Sequence, residues 1–120
     1  MKKLSFVLTL AVMMLVGANA YSQNMQMGSY KFTPSTPGYT LDKGTGERVV
    51  TYEVQFKKAF DVKPEIITSV YLLDADKGDN VRYDVLVKSV SRDGFTIQVN
   101  TWNSSKIYTI GVNWLALSAK

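Results

Sequence analysis

Phe95-Thr96-Ile97-Gln98-Val99-Asn100 and Tyr108-Thr109-Ile110-Gly111-Val112-Asn113-Trp114 stand on either side of Thr101-Trp102-Asn103-Ser104-Ser105-Lys106-Ile107. Both flanking runs alternate apolar with polar residues, and Leu115-Ala116 closes the second. Alternation of period two is the pattern of a strand with one face in a core. The segment between them is short, polar and bounded by two aromatics, Trp102 and Tyr108. It reads as the mouth of a hairpin. An indole and a phenol among amides and hydroxyls suit a small polar ligand, because the ring covers an apolar face while the polar groups fix orientation. The same two rings also serve as ordinary cross-strand partners.

Upstream, Val50, Tyr52, Val54 and Phe56 fall on one face of a strand, with Thr51, Glu53 and Gln55 on the other. A connection follows with Phe60 as a buried plug, ending at Pro64. Residues 65–73 form a second strand whose Ile66-Ile67 and Val70-Tyr71-Leu72-Leu73 are apolar on both faces. That pattern predicts a central strand or one covered on both sides. A polar turn at 74–80 leads to a third strand at 81–90. There Val81, Tyr83, Val85 and Val87 alternate with Arg82, Asp84, Leu86 and Lys88. Ser91-Arg92-Asp93-Gly94 is a tight turn. Residues 21–41 are a lead-in interrupted by Pro34 and Pro37, with room for a short strand at Tyr30-Lys31-Phe32-Thr33. Asp42-Lys43-Gly44-Thr45-Gly46-Glu47 is a turn-rich loop. Nothing after residue 20 has helical periodicity and nothing repeats, so the expected class is all-β, an antiparallel sandwich or barrel.

The chain begins with Lys2-Lys3, an apolar run over 4–17 and Ala18-Asn19-Ala20. This three-part pattern is that of a secretory signal peptide, too short for a comfortable membrane span. The expected division is a leader at 1–20, lead-in and loop at 21–45, and a sandwich domain at 46–120. The product would be secreted, periplasmic or on the cell surface, without membrane insertion. The leader holds two lysines, so the remaining hundred residues carry +2 against +4 for the whole chain. Lys57-Lys58 is the only adjacent pair of basic residues after the leader, which reads as a solvated face and argues against a nucleic-acid partner.

Cysteine and histidine are both absent. Zinc sites, thiol nucleophiles and histidine-based triads are thereby excluded. A disulfide-free exported domain must hold by packing or by self-assembly. The acidic stretch Asp74-Ala75-Asp76-Lys77-Gly78-Asp79-Asn80 suggests a calcium loop, but an EF-hand needs Gly at its sixth position and Glu at its twelfth. Counted from Asp74, those positions hold Asp79 and Val85. No metal or cofactor is expected. A small sandwich offers little room for two carboxylates across a deep cleft, so the chain reads as a binding protein and not an enzyme. Arg82 lies opposite Val81, Tyr83 and Val85, where its fork of donors serves either a surface cross-strand pair or the vicinal oxygens of a ligand.

The ordered set Phe56 with Phe60, Pro64, Leu73-Asp74, Arg82, Gly94-Phe95, Thr101-Trp102, Tyr108 and Trp114-Leu115-Ala116 resembles the H-type lectin domain, the module of snail agglutinins and of the C-terminal part of discoidins. The resemblance implies a six-stranded antiparallel β-sandwich, assembled as a homotrimer or a dimer of trimers. It implies metal-free binding of glycans ending in galactose or N-acetylgalactosamine, at sites between protomers. By motif, Arg82 matches the sugar-binding arginine, Tyr108 the aromatic near the strand start and Trp102 the tryptophan beside the site. Asn103 stands where some members carry a sugar-contacting histidine; it keeps a donor and an acceptor in a different shape. An acid from a neighbouring subunit's loop is expected to be Asp42 or Glu47, although an ungapped count lands on Thr45 between them. Val112 and Trp114 belong either to the core or to the trimer interface. The alternative is a structural or adhesion subunit on the same sandwich, which would need Trp114 and the core but not Arg82.

Overall fold

A computed structural model describes residues 24–119. The leader expected at 1–20 lies outside the described residues. The chain forms six strands, β1(Asn24–Phe32), β2(Arg48–Gln55), β3(Glu65–Ala75), β4(Tyr83–Lys88), β5(Gly94–Thr101) and β6(Ile107–Ser118), and no helix occurs among the described residues. They make two three-stranded sheets, β1-β6-β3 and β2-β5-β4, with every pairing antiparallel. This is the six-stranded antiparallel β-sandwich.

The two alternating runs that open the sequence argument are β5 and β6, the central strands of the two sheets. They are not a hairpin: β5 pairs with β2 and β4, and β6 with β1 and β3. The polar segment between them therefore crosses from one sheet to the other. Alternation reports that a strand buries one face and says nothing about its partner. Ile97 and Val99 of β5 share the core with Ile110, Val112 and Ala116 of β6, all five at 0% exposure. Burying each aliphatic side chain contributes about 1.5–3 kcal/mol. Phe56 and Phe60 meet edge to face at 4.9 Å and close one end, so Phe60 is the expected plug. Val112 is core. The Trp114 ring also faces inward, edge-on to Phe95 at 5.5 Å. It lies so close to β1 that a Cβ on Gly28 would come within 2.7 Å of it.

Three further expectations change. The short strand at Tyr30-Lys31-Phe32-Thr33 is the end of the nine-residue β1, which pairs with β6 from Asn24↔Ser118 to Phe32↔Ile110. Its inward positions begin with Gln26 and Gly28, too polar and too small to display a hydrophobic period. The prolines fall after the strand, in a segment that adds buried Tyr39 and Leu41 to the core. The third strand is shorter than 81–90 and starts after Arg82, whose N–H donates to the Ser105 hydroxyl of the crossover and whose carbonyl accepts from the Thr101 hydroxyl at the end of β5.

β3 is an edge strand and not a central one, so only one of its apolar faces is covered within the chain. Ile67, Tyr71 and Leu73 are 58%, 48% and 39% exposed. The register sets Met27, Leu115 and Ile67 in one row across β1, β6 and β3, on the outside of the sandwich. Tyr52 departs too: it is on the core side of β2 yet exposed, stacked on Tyr30 with ring centroids 3.6 Å apart. In the 91–94 turn, Gly94 answers a close approach, since a Cβ there would stand 2.1 Å from the Val54 carbonyl oxygen.

Candidate functional site

At one end of the sandwich the loop from β3 to β4 is sewn to the crossover from β5 to β6. The Ser104 hydroxyl donates to the Asp79 carboxylate, and the Asn80 N–H donates to the other Asp79 oxygen at 2.8 Å. The Ser105 hydroxyl donates to the Asn80 carbonyl at 2.6 Å and accepts from the Arg82 N–H at 2.9 Å. The Thr101 hydroxyl donates to the Arg82 carbonyl at 2.6 Å. Thr101 and Ser105 are buried at 0% and 1% exposure, so small hydroxyls satisfy backbone groups that leave the sheet at this point. Arg82 is thus held by its backbone on both sides.

A third loop, 42–47, joins them through Arg48. This arginine is 8% exposed and opens β2 on its inward phase. Its fork donates to the carbonyls of Gly46 at 3.0 Å, Lys43 at 2.9 Å and Asn103 at 2.8 Å, with a longer contact to Leu41 at 3.4 Å. The Gly46 N–H also donates to the Asn103 carbonyl at 2.9 Å, and the Lys106 ammonium to that of Gly44. Asn103 has φ of 55°, a left-handed conformation that asparagine tolerates better than most side chains. Sequence reasoning missed Arg48. The available signal was an arginine in phase with Val50 and Val54 on a half-buried strand.

The structure brings Arg82, Trp102 and Asn103 to this end, and Tyr108 is the second residue of β6, just after the crossover. Trp102 and Tyr108 are 38% and 40% exposed. The Arg82 guanidinium makes no hydrogen bond or ion pair among the described residues, whereas Arg48 and Arg92 both donate to carbonyls. Of the two loop acids, Glu47 is exposed. Asp42 is turned inward, with one carboxylate oxygen buried and without a hydrogen-bond partner. Its charge reaches the phenol of Tyr39, whose proton is held well above the ordinary range by burial first and then by Asp42 and Asp74. Sequence reasoning gave no role to Asp79. Its carboxyl is held below the usual range by the Ser104 hydroxyl first, then the Asn80 N–H, with Arg82 and Lys106 adding to the effect.

Four clefts of about 340–530 Å³ are lined by other residues. No group of three or more acids is arranged for a metal among the described residues. What the end presents is an uncommitted donor fork, a carboxylate, an amide and two exposed rings, a set matched to a polyhydroxylated ligand.

The H-type lectin domain profile matches residues 51–117, more than half of the chain. The chain belongs to the H-type lectin family. The matched region of this lectin domain contains Arg82, Trp102, Asn103 and Tyr108 and leaves Asp42 and Glu47 outside. The domain is 27% identical over 77 residues to Discoidin-1 subunits A and B/C of Dictyostelium discoideum, over 63% of this chain and 30% of each of those. It is 26% identical over 88 residues to "ATP synthase subunits region ORF 7" of Fuscovulum blasticum, over 73% of this chain and 76% of that protein. Its fold matches wild-type discoidin II of Dictyostelium discoideum with a TM-score of 0.70 at 22% identity, over 81% of this chain and 37% of that one. A second discoidin II structure also gives 0.70, at 24% identity over 82% and 38%. The lectin domain therefore spans well under half the length of the discoidins it matches, and at these identities the structural likeness is one of fold.

Proposed function

We propose that this H-type lectin is exported after removal of its leader and binds glycans ending in galactose or N-acetylgalactosamine. The observation that carries the reading is the free Arg82 fork, held rigidly by its backbone beside exposed rings. Arg82 would donate to two hydroxyls of one sugar, Tyr108 and Asn103 would frame them, and Trp102 would support or stack on the ring. An open site of this kind is weak by itself. Cyclic assembly sets several sites against a glycan-coated surface and raises avidity.

The outer face of β1-β6-β3 supports that assembly. Met25, Met27, Ile67 and Tyr71 are all exposed on it, an apolar row of the kind that marks an interaction face. Second and third copies of the chain would cover it, giving a homotrimer or a dimer of trimers. The 42–47 loop of a neighbour, with exposed Glu47 and the inward-turned Asp42, would approach the site from across the interface.

A glycan-array screen of residues 21–120, run beside Arg82→Ala with light scattering on both, tests this. The expected result is one oligomeric state for the two proteins, with galactose-type binding lowered at least about tenfold in the variant, the scale of losing a charge-assisted pair of bonds. An intact trimer that binds no glycan would instead make the chain a structural or adhesion subunit. Binding that survives Arg82→Ala would move the site elsewhere.

A further inference from the structure

We infer that Asp79 supplies the site with a carboxylate from the same protomer, accepting a sugar hydroxyl next to the one that Arg82 donates to. The inference rests on the glycan-binding reading above and concerns how that site is completed. Asp42, Glu47, Asp74, Asp76 and Asp79 lie around this end. Asp42 has one oxygen buried inside the fold, where its charge acts on the Tyr39 phenol. Glu47 ends the 42–47 loop that Arg48 draws onto the Asn103 backbone. Asp79 is fastened to the crossover that carries Trp102 and Asn103, through Ser104.

Its geometry is that of an aimed acceptor. One oxygen takes the Ser104 hydroxyl and the other the Asn80 N–H. A carboxylate has about four acceptor sites, so roughly two remain for a ligand. Ser105 holds Asn80 and Arg82 together by accepting from one backbone and donating to the other. The Asp79 carboxylate and the Arg82 backbone are therefore held by one network, and the Arg82 charge acts on Asp79 without forming an ion pair with it. Each keeps its capacity for a third party. A vicinal diol answers both: one hydroxyl oxygen accepts from the fork while its neighbour donates to the carboxylate, and both bonds are charge-assisted.

The test is calorimetric titration of the full exported chain with free N-acetylgalactosamine and free galactose. The variants are Asp79→Asn and Ser104→Ala. Asp79→Asn keeps the shape and an oxygen for Ser104 while removing the charge. It is expected to weaken binding by about tenfold or more with an unchanged melting midpoint. Wild-type affinity should fall on acidification below the ordinary carboxylate range, where Asp79 takes up its proton, and the Asp79→Asn affinity should not show that fall. Ser104→Ala loosens the loop and leaves the charge. If it weakens binding as much as Asp79→Asn, Asp79 is only a tether and the inference fails. If Asp79→Asn binds like wild type, the inference fails and the lectin reading stands. If the wild type binds neither sugar, the glycan reading fails and takes the inference with it.

Discussion

Arg48→Met keeps most of the side chain's length and deletes all of its donors. In the structure those donors hold the carbonyls of Lys43, Gly46 and Asn103 at 2.8–3.0 Å. The Leu41 carbonyl, the long fourth contact, keeps the Ile107 N–H at 2.9 Å and is not orphaned. Three charge-assisted bonds at about 1.5 kcal/mol each, less about 2 kcal/mol for no longer desolvating a guanidinium, leave a loss of roughly 2–3 kcal/mol. For a domain near a hundred residues that lowers the melting midpoint by about 10–15 °C. The assay is thermal denaturation by circular dichroism at one protein concentration, since assembly shifts the midpoint. Trypsin cleavage after exposed Lys43 should accelerate in parallel. A midpoint within about 2 °C of wild type and an unchanged cleavage rate would refute the reasoning. The loop would then be held by its own glycine turns and by the Gly46 N–H on Asn103.

Gly94→Ala would push a methyl against the Val54 carbonyl and force β2 and β5 apart, a loss of about 2–4 kcal/mol readable as a lower denaturant midpoint. Tyr39→Phe removes a 2.5 Å bond from the buried phenol to the Ile107 carbonyl, at about 1 kcal/mol. The folded Tyr39 holds its proton above the ordinary tyrosine value of about 10. Above that pH the unfolded chain loses the proton while the fold keeps it. Stability from this group therefore falls with rising pH, by about 1.4 kcal/mol per unit, and the Phe variant should lack that slope in alkaline denaturation. Arg82→Ala should leave the melting midpoint unchanged within about 0.5 kcal/mol, because its fork holds nothing in the protein.

Much of the sandwich was legible because the strands bearing its core, β2, β5 and β6, carry clean alternation. Val50, Val54, Phe56, Ile97, Val99, Ile110 and Val112 are buried as their phases require. β1 was not legible beyond its last residues: at inward Gly28 the Trp114 ring takes up the space a larger residue would fill, and inward Gln26 bonds to the backbone of Lys57 and Lys58. The ends of β4 were misread because valines outside the strand continued its pattern. At the candidate site, the motif residues Arg82, Trp102 and Asn103 stand at one end, with Tyr108 just after the crossover. Arg48, Ser104, Ser105 and Asp79 went unassigned. Their roles are hydrogen bonds between segments far apart in sequence, and serine, arginine and aspartate carry no periodic signature.

The sequence by itself determined the class of fold, the inward phase of its strands, the loss of zinc, thiol and histidine chemistry, and the family to which the residues point. Those properties belong to single segments or to composition. Only the tertiary structure decided that β5 and β6 part into different sheets and that β3 stands at an edge with Ile67, Tyr71 and Leu73 bare. It also decided that, of the three arginines, Arg48 and Arg92 spend their forks on carbonyls of the fold and Arg82 does not. Pairing and hydrogen-bond partners depend on which distant segments meet. A strand's alternation is the same whichever neighbour it finds.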